Sequence, residues 1–253
     1  MKIRLFDDHE ALSQQAAADI FTELNQGGRC NFAPTGGSSP LRLYQHLVAR
    51  LQAENAGQQV HYYLQDDVPL RGREQQPGVI YQHIDRHLLT PAGIPLQRIH
   101  PLTLANVAQQ DAAIAADGGL DLLLLGVGQD GHIAANLPGT PFDTLTREIE
   151  VDRCHGVLMA ALVQEVGSEE NVPDSYLSFG IHTIMQARHI RVLINGENKA
   201  EIVRRMLMEP PWKRCLLLYC SAMPTARSIS TRPPHACWMQ TGWLNEWNVN
   251  ARG

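Results

Sequence analysis

Three short stretches of the chain carry residues whose types and spacing suit chemistry. In DLLLLGVGQDGHIAANLP, Asp121 to Pro138, an apolar run is broken by Gly126, Gly128 and Gly131 into a tight loop that holds Asp130 and His132. Imidazole exchanges a proton near neutral pH, and a carboxylate beside it fixes its tautomer and stabilises its cation. Open α/β sheets gather their ligands beyond the carboxyl ends of the strands, so a pair placed there has the address of a catalytic group. The plainer alternative is a hydrogen-bonded loop histidine.

The second stretch, HYYLQDD, ends in the adjacent carboxylates Asp66 and Asp67. A carboxylate serves as a base near neutral pH when burial or a like-charged neighbour raises its pKa, and adjacency supplies such a neighbour. Taken in isolation, a turn or a helix cap is the better account of the pair, since aspartates are common in turns. The third stretch is PTGGSSP, Pro34 to Pro40. A strand, a glycine-rich turn and a helix N-terminus can make an anion cradle, in which Gly36 and Gly37 admit close backbone approach and Ser38 and Ser39 add hydroxyl donors; an ordinary βα turn with hydroxyl caps accounts for the stretch equally well. The GK[ST] ending of a P-loop is missing. Lys199, after the strand-like RVLING, is placed to reach an anion as a point charge. His83 and His87 stand four residues apart on an expected helix, but no acidic residue at metal-site spacing accompanies them.

The elements that must position these groups alternate. Strand patterns are expected at Lys2–Phe6, Cys30–Ala33, Val60–Leu64, Asp121–Leu125 and His189–Ile194. Helices are expected at Ala11–Leu24, Pro40–Glu54, Gly78–Leu89, Val107–Ala116 and Asn198–Met208. Strands separated by helices predict a doubly wound, mostly parallel α/β sheet with helices on both faces. Pro69–Gly78 and Gln164–Asp174 are polar and read as long loops. The tail differs: all four tryptophans lie from Trp212 onward, Ser228–Pro234 interrupts any regular element, and only Cys215–Tyr219 reads as a strand.

The bulk composition excludes several classes. The chain has 253 residues, 44% of them apolar, enough for one large domain with a substantial core. A net charge of −5 gives no basic field for nucleic acid. No run of about 18 apolar residues predicts a membrane span. The start, MKIRLFDDHE, lacks the apolar core of roughly 7–15 residues that marks a secretory signal. Five scattered cysteines without a CxxC pair fit reduced thiols and a cytoplasmic protein.

Taken together, TGGSSPLRLY, YLQDDVPLRG, DLLLLGVGQDGHIAANLPG and SYLSFGIHTIMQARHIRVLINGENKAE occur in one order. In that order they resemble the glucosamine-6-phosphate deaminase/isomerase and 6-phosphogluconolactonase superfamily, over roughly residues 1–208. The likeness is greatest to bacterial glucosamine- and galactosamine-6-phosphate isomerases. The resemblance implies a single domain of modified Rossmann type over residues 1–253, with an atypical tail from about 209. It implies a sugar 6-phosphate as substrate, and no cofactor or metal. Asp66 takes the place of the group that moves a proton between C2 and C1. His132, helped by Asp130, takes that of the ring-opening group. Gly36, Gly37, Ser38, Ser39 and Lys199 fill the phosphate site, and Asp67, Gly131 and Asn136 the rest of the pocket. Deaminases of this kind are often oligomeric, so a homo-oligomer is admitted.

Three departures accompany the likeness. Leu137 stands where the deaminases carry the glutamate that orients their histidine. No arginine between Arg153 and Ser175 clearly matches their second phosphate contact, and the tail does not match the usual ending. The expected activity is aldose–ketose isomerisation, with or without deamination, of an amino-sugar 6-phosphate. A 6-phosphosugar lactonase is the alternative, and a non-catalytic sugar-phosphate sensor the second alternative.

Overall fold

Five parallel, mostly buried strands make the frame. In this computed structural model, which describes residues 2–153, 156–208 and 236–240, the chain opens with β1 (Lys2–Phe6) and α1 (His9–Leu24). Asp8 caps the helix, its side chain accepting from the Ala11 amide at 2.7 Å. There follow β2 (Cys30–Ala33), α2 (Leu41–Ala53), β3 (Val60–Tyr63), the two-residue β4 (Asp66–Asp67), α3 (Val79–Ile84), β5 (Ile99–His100) and α4 (Gln110–Ala116). The second half holds β6 (Leu122–Leu125), β7 (Arg147–Glu150), α5 (Gly156–Val166), β8 (Ser175–Ser178), α6 (Ile181–Met185), β9 (His189–Ile194), α7 (Ala200–Met208) and β10 (Ala236–Gln240).

The main sheet has the strand order β1-β10-β9-β6-β2-β3-β5, and from β9 to β5 every pairing is parallel. Successive strand residues point to opposite faces, so each strand feeds two cores. Phe32, Tyr62, Leu122 and Leu124 pack with Leu12, Ile20 and Leu47 of α1 and α2. Ala33, Tyr63, Leu123 and Leu125 pack with Ile114, Ile184 and Ile202 of α4, α6 and α7. This is the doubly wound, mostly parallel arrangement expected from the alternation of elements. No helix among the described residues is long and apolar enough to cross a membrane.

The winding reverses between β2 and β6. From β2 the chain proceeds outward through β3 to β5, then returns to place β6 on the other side of β2 and β9 beyond it. Neighbouring loops at the carboxyl ends therefore part there and leave a crevice. Gln65 ties the fork: its Nε2 donates to the carbonyls of Pro34 (2.9 Å), after β2, and of Leu124 (2.8 Å), in β6. Gln65→Leu removes the donor from two buried carbonyls and is expected to lower stability by about 2–3 kcal/mol. That loss would show as a reduced urea midpoint, and an unchanged midpoint would contradict the account of the fork.

Several elements differ from expectation. The Gly78–Leu89 helix is α3 continued by a π-helical turn, Asp85–Leu89, and the Val107 and Asn198 helices each enter through a 3₁₀ turn. Gln164–Asp174 is not loop throughout, since α5 extends to Val166 and Glu169–Asn171 form a 3₁₀ turn. A small antiparallel sheet, β4-β8-β7, was not expected; it pairs Asp66 with Ser178, and Ser178 with Arg147. Nor was β10, which lies antiparallel between β1 and β9. The strand expected at Cys215–Tyr219, and the rest of the tail from about 209 apart from β10, lie outside the described residues.

Candidate active site

The order of the strands brings the expected residues to one edge. Lys199 follows β9, Asp130 and His132 follow β6, the Gly36–Ser39 turn follows β2, and Asp66 lies just past β3. Those four strands are consecutive neighbours in the sheet, so the four groups line up along its carboxyl end.

Asp66, Asp130 and His132 share one cleft of about 150 Å³, walled by apolar side chains including Leu137, Leu162 and Tyr176. His132 Nδ1 lies 2.7 Å from Asp130 Oδ1, which also accepts the His132 amide at 3.1 Å. The carboxylate therefore fixes the ring with its proton on Nδ1 and leaves Nε2 for a ligand. That hydrogen bond holds the Asp130 carboxyl down at about 2. The pair lies directly over Gly128, where an added Cβ would come within 2.1 Å of His132 Nδ1. Only a glycine fits beneath the ring.

Across the cleft, the Asp66 Oδ1 is buried and has no hydrogen-bond partner. Burial above all, then repulsion from Asp67 and Glu165, pushes Asp66 up to about 7, with His132 pulling the other way. A carboxylate so placed exchanges a proton near neutrality. Asp67 has a different office. Its carboxylate accepts from the amides of Val68, Gly78, Ile80 and Tyr81 and so anchors the start of α3. Burial pushes it up to about 6 against the pull of those four amides. Two neighbouring carboxylates thus divide the work, one free and one tied.

The glycine–serine turn lies beside the cleft. An added Cβ on Gly36 would meet Ile80 Cγ2 at 2.8 Å, and Ile80 lines the cleft. His83 Nε2 lies 3.1 Å from the Gly37 carbonyl and His9 Nε2 3.1 Å from that of Ser39. The turn's carbonyls are held from outside, and among the described residues none of the backbone amides from Gly36 to Ser39 donates to a protein acceptor. Unpaired amides ahead of a helix start suit an anion. Lys199 is half-buried; burial lowers its pKa and the nearby Asp130 opposes that shift.

Two of the expected pocket residues make contacts within the loop after β6 and around it. Asn136 is fully buried. Its amide donates to the Phe179 carbonyl at 2.7 Å and accepts from Arg147 at 2.9 Å. Those bonds stitch the loop after β6 to the small sheet, so the side chain supports the cleft rather than lining it. Gly131 is buried with φ +94°, a turn conformation that suits glycine, and its role is to let Asp130 and His132 face each other. Residues not anticipated are Gln65, described above, and Glu165, which α5 sets into the cleft wall.

With this geometry in view, the likeness to known proteins can be stated. The sequence profile of the glucosamine-6-phosphate isomerases/6-phosphogluconolactonase family matches residues 7–228. The chain belongs to that family. It is 31% identical over 216 residues to a glucosamine-6-phosphate deaminase of Shouchella clausii, covering 81% of this chain and 85% of that protein. It is likewise 31% identical over 218 residues to one of Rhodopirellula baltica, covering 83% and 85%. Among solved structures, a monomeric glucosamine-6-phosphate deaminase superposes with a TM-score of 0.79 at 24% identity, covering 91% of this chain and 95% of that one. The 6-phosphogluconolactonase of Thermotoga maritima gives 0.62 at 19%, covering 83% and 91%. At such identities the two structures speak for the fold, which is the family's fold. The chain is accordingly an enzyme of this family, in its isomerase/deaminase branch by sequence.

The departures noted in the sequence have structural counterparts. Leu137, where the deaminases carry glutamate, contributes an apolar surface to the cleft. Arg153 is engaged by Asp174 at 3.1 Å, on the exposed surface.

Proposed function

We propose that the protein converts an amino-sugar 6-phosphate, glucosamine or galactosamine 6-phosphate, from aldose to ketose and releases ammonia. The observation that carries this reading is the unpaired carboxyl of Asp66, which shares a cleft with the His132–Asp130 pair and lies beside an anion-ready turn. His132 Nε2 takes the proton of the C1 hydroxyl and passes it to the ring oxygen as the ring C1–O bond breaks, which opens the ring to the aldehyde. Asp66 takes the proton from C2 and returns it to C1, leaving an imine at C2 that water hydrolyses to the ketone and ammonia. One carboxylate performs both transfers because C1 and C2 are adjacent. The amides of Gly36, Gly37, Ser38 and Ser39, the serine hydroxyls and the Lys199 ammonium hold the phosphate, whose binding orients the reacting carbons.

A lactonase reading is favoured by one feature, the apolar Leu137 beside the histidine, since lactone hydrolysis needs only an activated water and an oxyanion site. Parallel assays separate the two. Ammonia and ketose phosphate formed from glucosamine or galactosamine 6-phosphate support the isomerase. Rapid acid release from a 6-phosphosugar lactone, without amino-sugar turnover, would replace that reading with the lactonase.

A further inference from the structure

Asp66 and His132 account for proton movement, but they leave one group in the cleft without a task. Glu165 lies near the carboxyl end of α5, in a stretch that the sequence presents as the beginning of a polar loop. The helix instead sets it into the wall of the cleft that Asp66 also lines, with Leu162 and Leu137. Among the described residues it forms no hydrogen bond and no ion pair, and burial raises its pKa. Asp66 Oδ1, fully buried, is likewise without a partner. Among the described residues lining the cleft, the one cationic candidate, His132, has its Nδ1 engaged by Asp130. Lys199 feels Asp130 and not these two carboxyls.

Two carboxyl groups that share an apolar cleft and repel each other resist joint ionisation unless a cation comes between them. Among the described residues lining the cleft, none beyond His132 supplies one. A ligand bearing an ammonium group would, and the reaction dictates where that group sits. Asp66 must touch the hydrogen on C2, so whatever substituent C2 carries lies in the same narrow space, within reach of the opposite wall. On an amino sugar that substituent is the amine.

We propose that Glu165 is the residue that reads the amino group: its carboxylate receives the C2 ammonium of the substrate and makes the cleft prefer an amino-sugar phosphate to its hydroxyl counterpart. This assignment rests on the sugar-phosphate reading above and adds to it the origin of the amine preference. Glu165 acts in recognition, and the proton transfers remain with Asp66 and His132.

The test uses the full chain and two inert sugar alcohols that cannot be turned over, 2-amino-2-deoxyglucitol 6-phosphate and glucitol 6-phosphate, with affinities measured by calorimetry. The parent should bind the amine about 10-fold or more tightly than the alcohol, as a charge pair in a partly desolvated cleft requires. Glu165→Gln keeps the shape and should remove about 10-fold of that preference while leaving the affinity for glucitol 6-phosphate unchanged. With glucosamine 6-phosphate as substrate, the same variant should raise KM with kcat nearly constant. Glu169→Gln, an equal charge change on the neighbouring exposed turn, should leave the ratio alone. An unchanged ratio in Glu165→Gln, or an equal loss for both ligands, would overturn the assignment while leaving the sugar-phosphate reading intact. A parent that binds neither compound would overturn both.

Discussion

Asp66→Asn should lower solvent-proton exchange at C2 of an amino-sugar 6-phosphate by about 10³-fold, inside the range of roughly 10²–10⁴ that a positioned base contributes. The same variant should be more stable than the parent above pH 7. The sign follows from linkage. Asp66 is raised from the ordinary 3.8 to about 7 in the folded protein, so the native state holds that proton more firmly than the unfolded chain does. The resulting stabilisation is complete below the unfolded value and is lost as pH rises through the folded one. Asparagine has no proton to lose, so the stability gap between variant and parent should open between about pH 4 and 7 and stay open above. Activity of the parent should rise over the upper part of that window, as the base is uncovered. Thermal unfolding at pH 5 and pH 8, beside deuterium incorporation at C2, measures both effects. A variant that is inactive but also destabilised at pH 8 would point to a structural role for Asp66.

The second large effect is expected at Gly128, a residue that performs no chemistry. An alanine Cβ there would lie 2.1 Å from His132 Nδ1 and 2.6 Å from Asp130 Oδ1. Backbone geometry cannot absorb both overlaps, so the ring and its carboxylate must move off their positions. Displacement of a catalytic group by about 1 Å costs on the order of 10²-fold in rate. Gly128→Ala should therefore reduce kcat on the cyclic substrate by about that factor. Affinity for the phosphate should hardly change, because the Gly36–Ser39 turn and Lys199 are untouched. Full activity in this variant would mean that the imidazole over Gly128 does not open the ring.

What was legible in the sequence follows physical lines. β2, β6 and β9 are buried on both faces, so they read as mostly apolar runs, broken by Asn31 in β2 and Arg191 in β9. The loops that follow them carry glycine, serine, aspartate and histidine in patterns that stand out locally. The strands of the small sheet do not. Arg147–Glu150 and Ser175–Ser178 are short and mixed in character, and they become strands because they pair with each other and with Asp66–Asp67, far away in sequence. Local pattern carries no trace of such pairing. For α5 the difficulty is the reverse. GVLMAALVQEV is apolar on nearly every side and shows no helical stripe, and its only polar pair, Gln164–Glu165, marks a loop by composition. Glu165 was therefore missed. Asn136 presents a related difficulty: an amide in the loop after β6 fits a substrate as well as it fits the backbone of Phe179, and only the fold shows the latter bond.

One crystal structure of the chain with 2-amino-2-deoxyglucitol 6-phosphate bound would address the central claim most directly. The phosphate should rest on the amides of Gly36 to Ser39 within reach of Lys199, with C2 beside the Asp66 carboxyl and the His132 imidazole over the opposite end of the reacting carbons. Density for the sugar with its phosphate away from that turn, or with C2 beyond the reach of Asp66, would contradict the account.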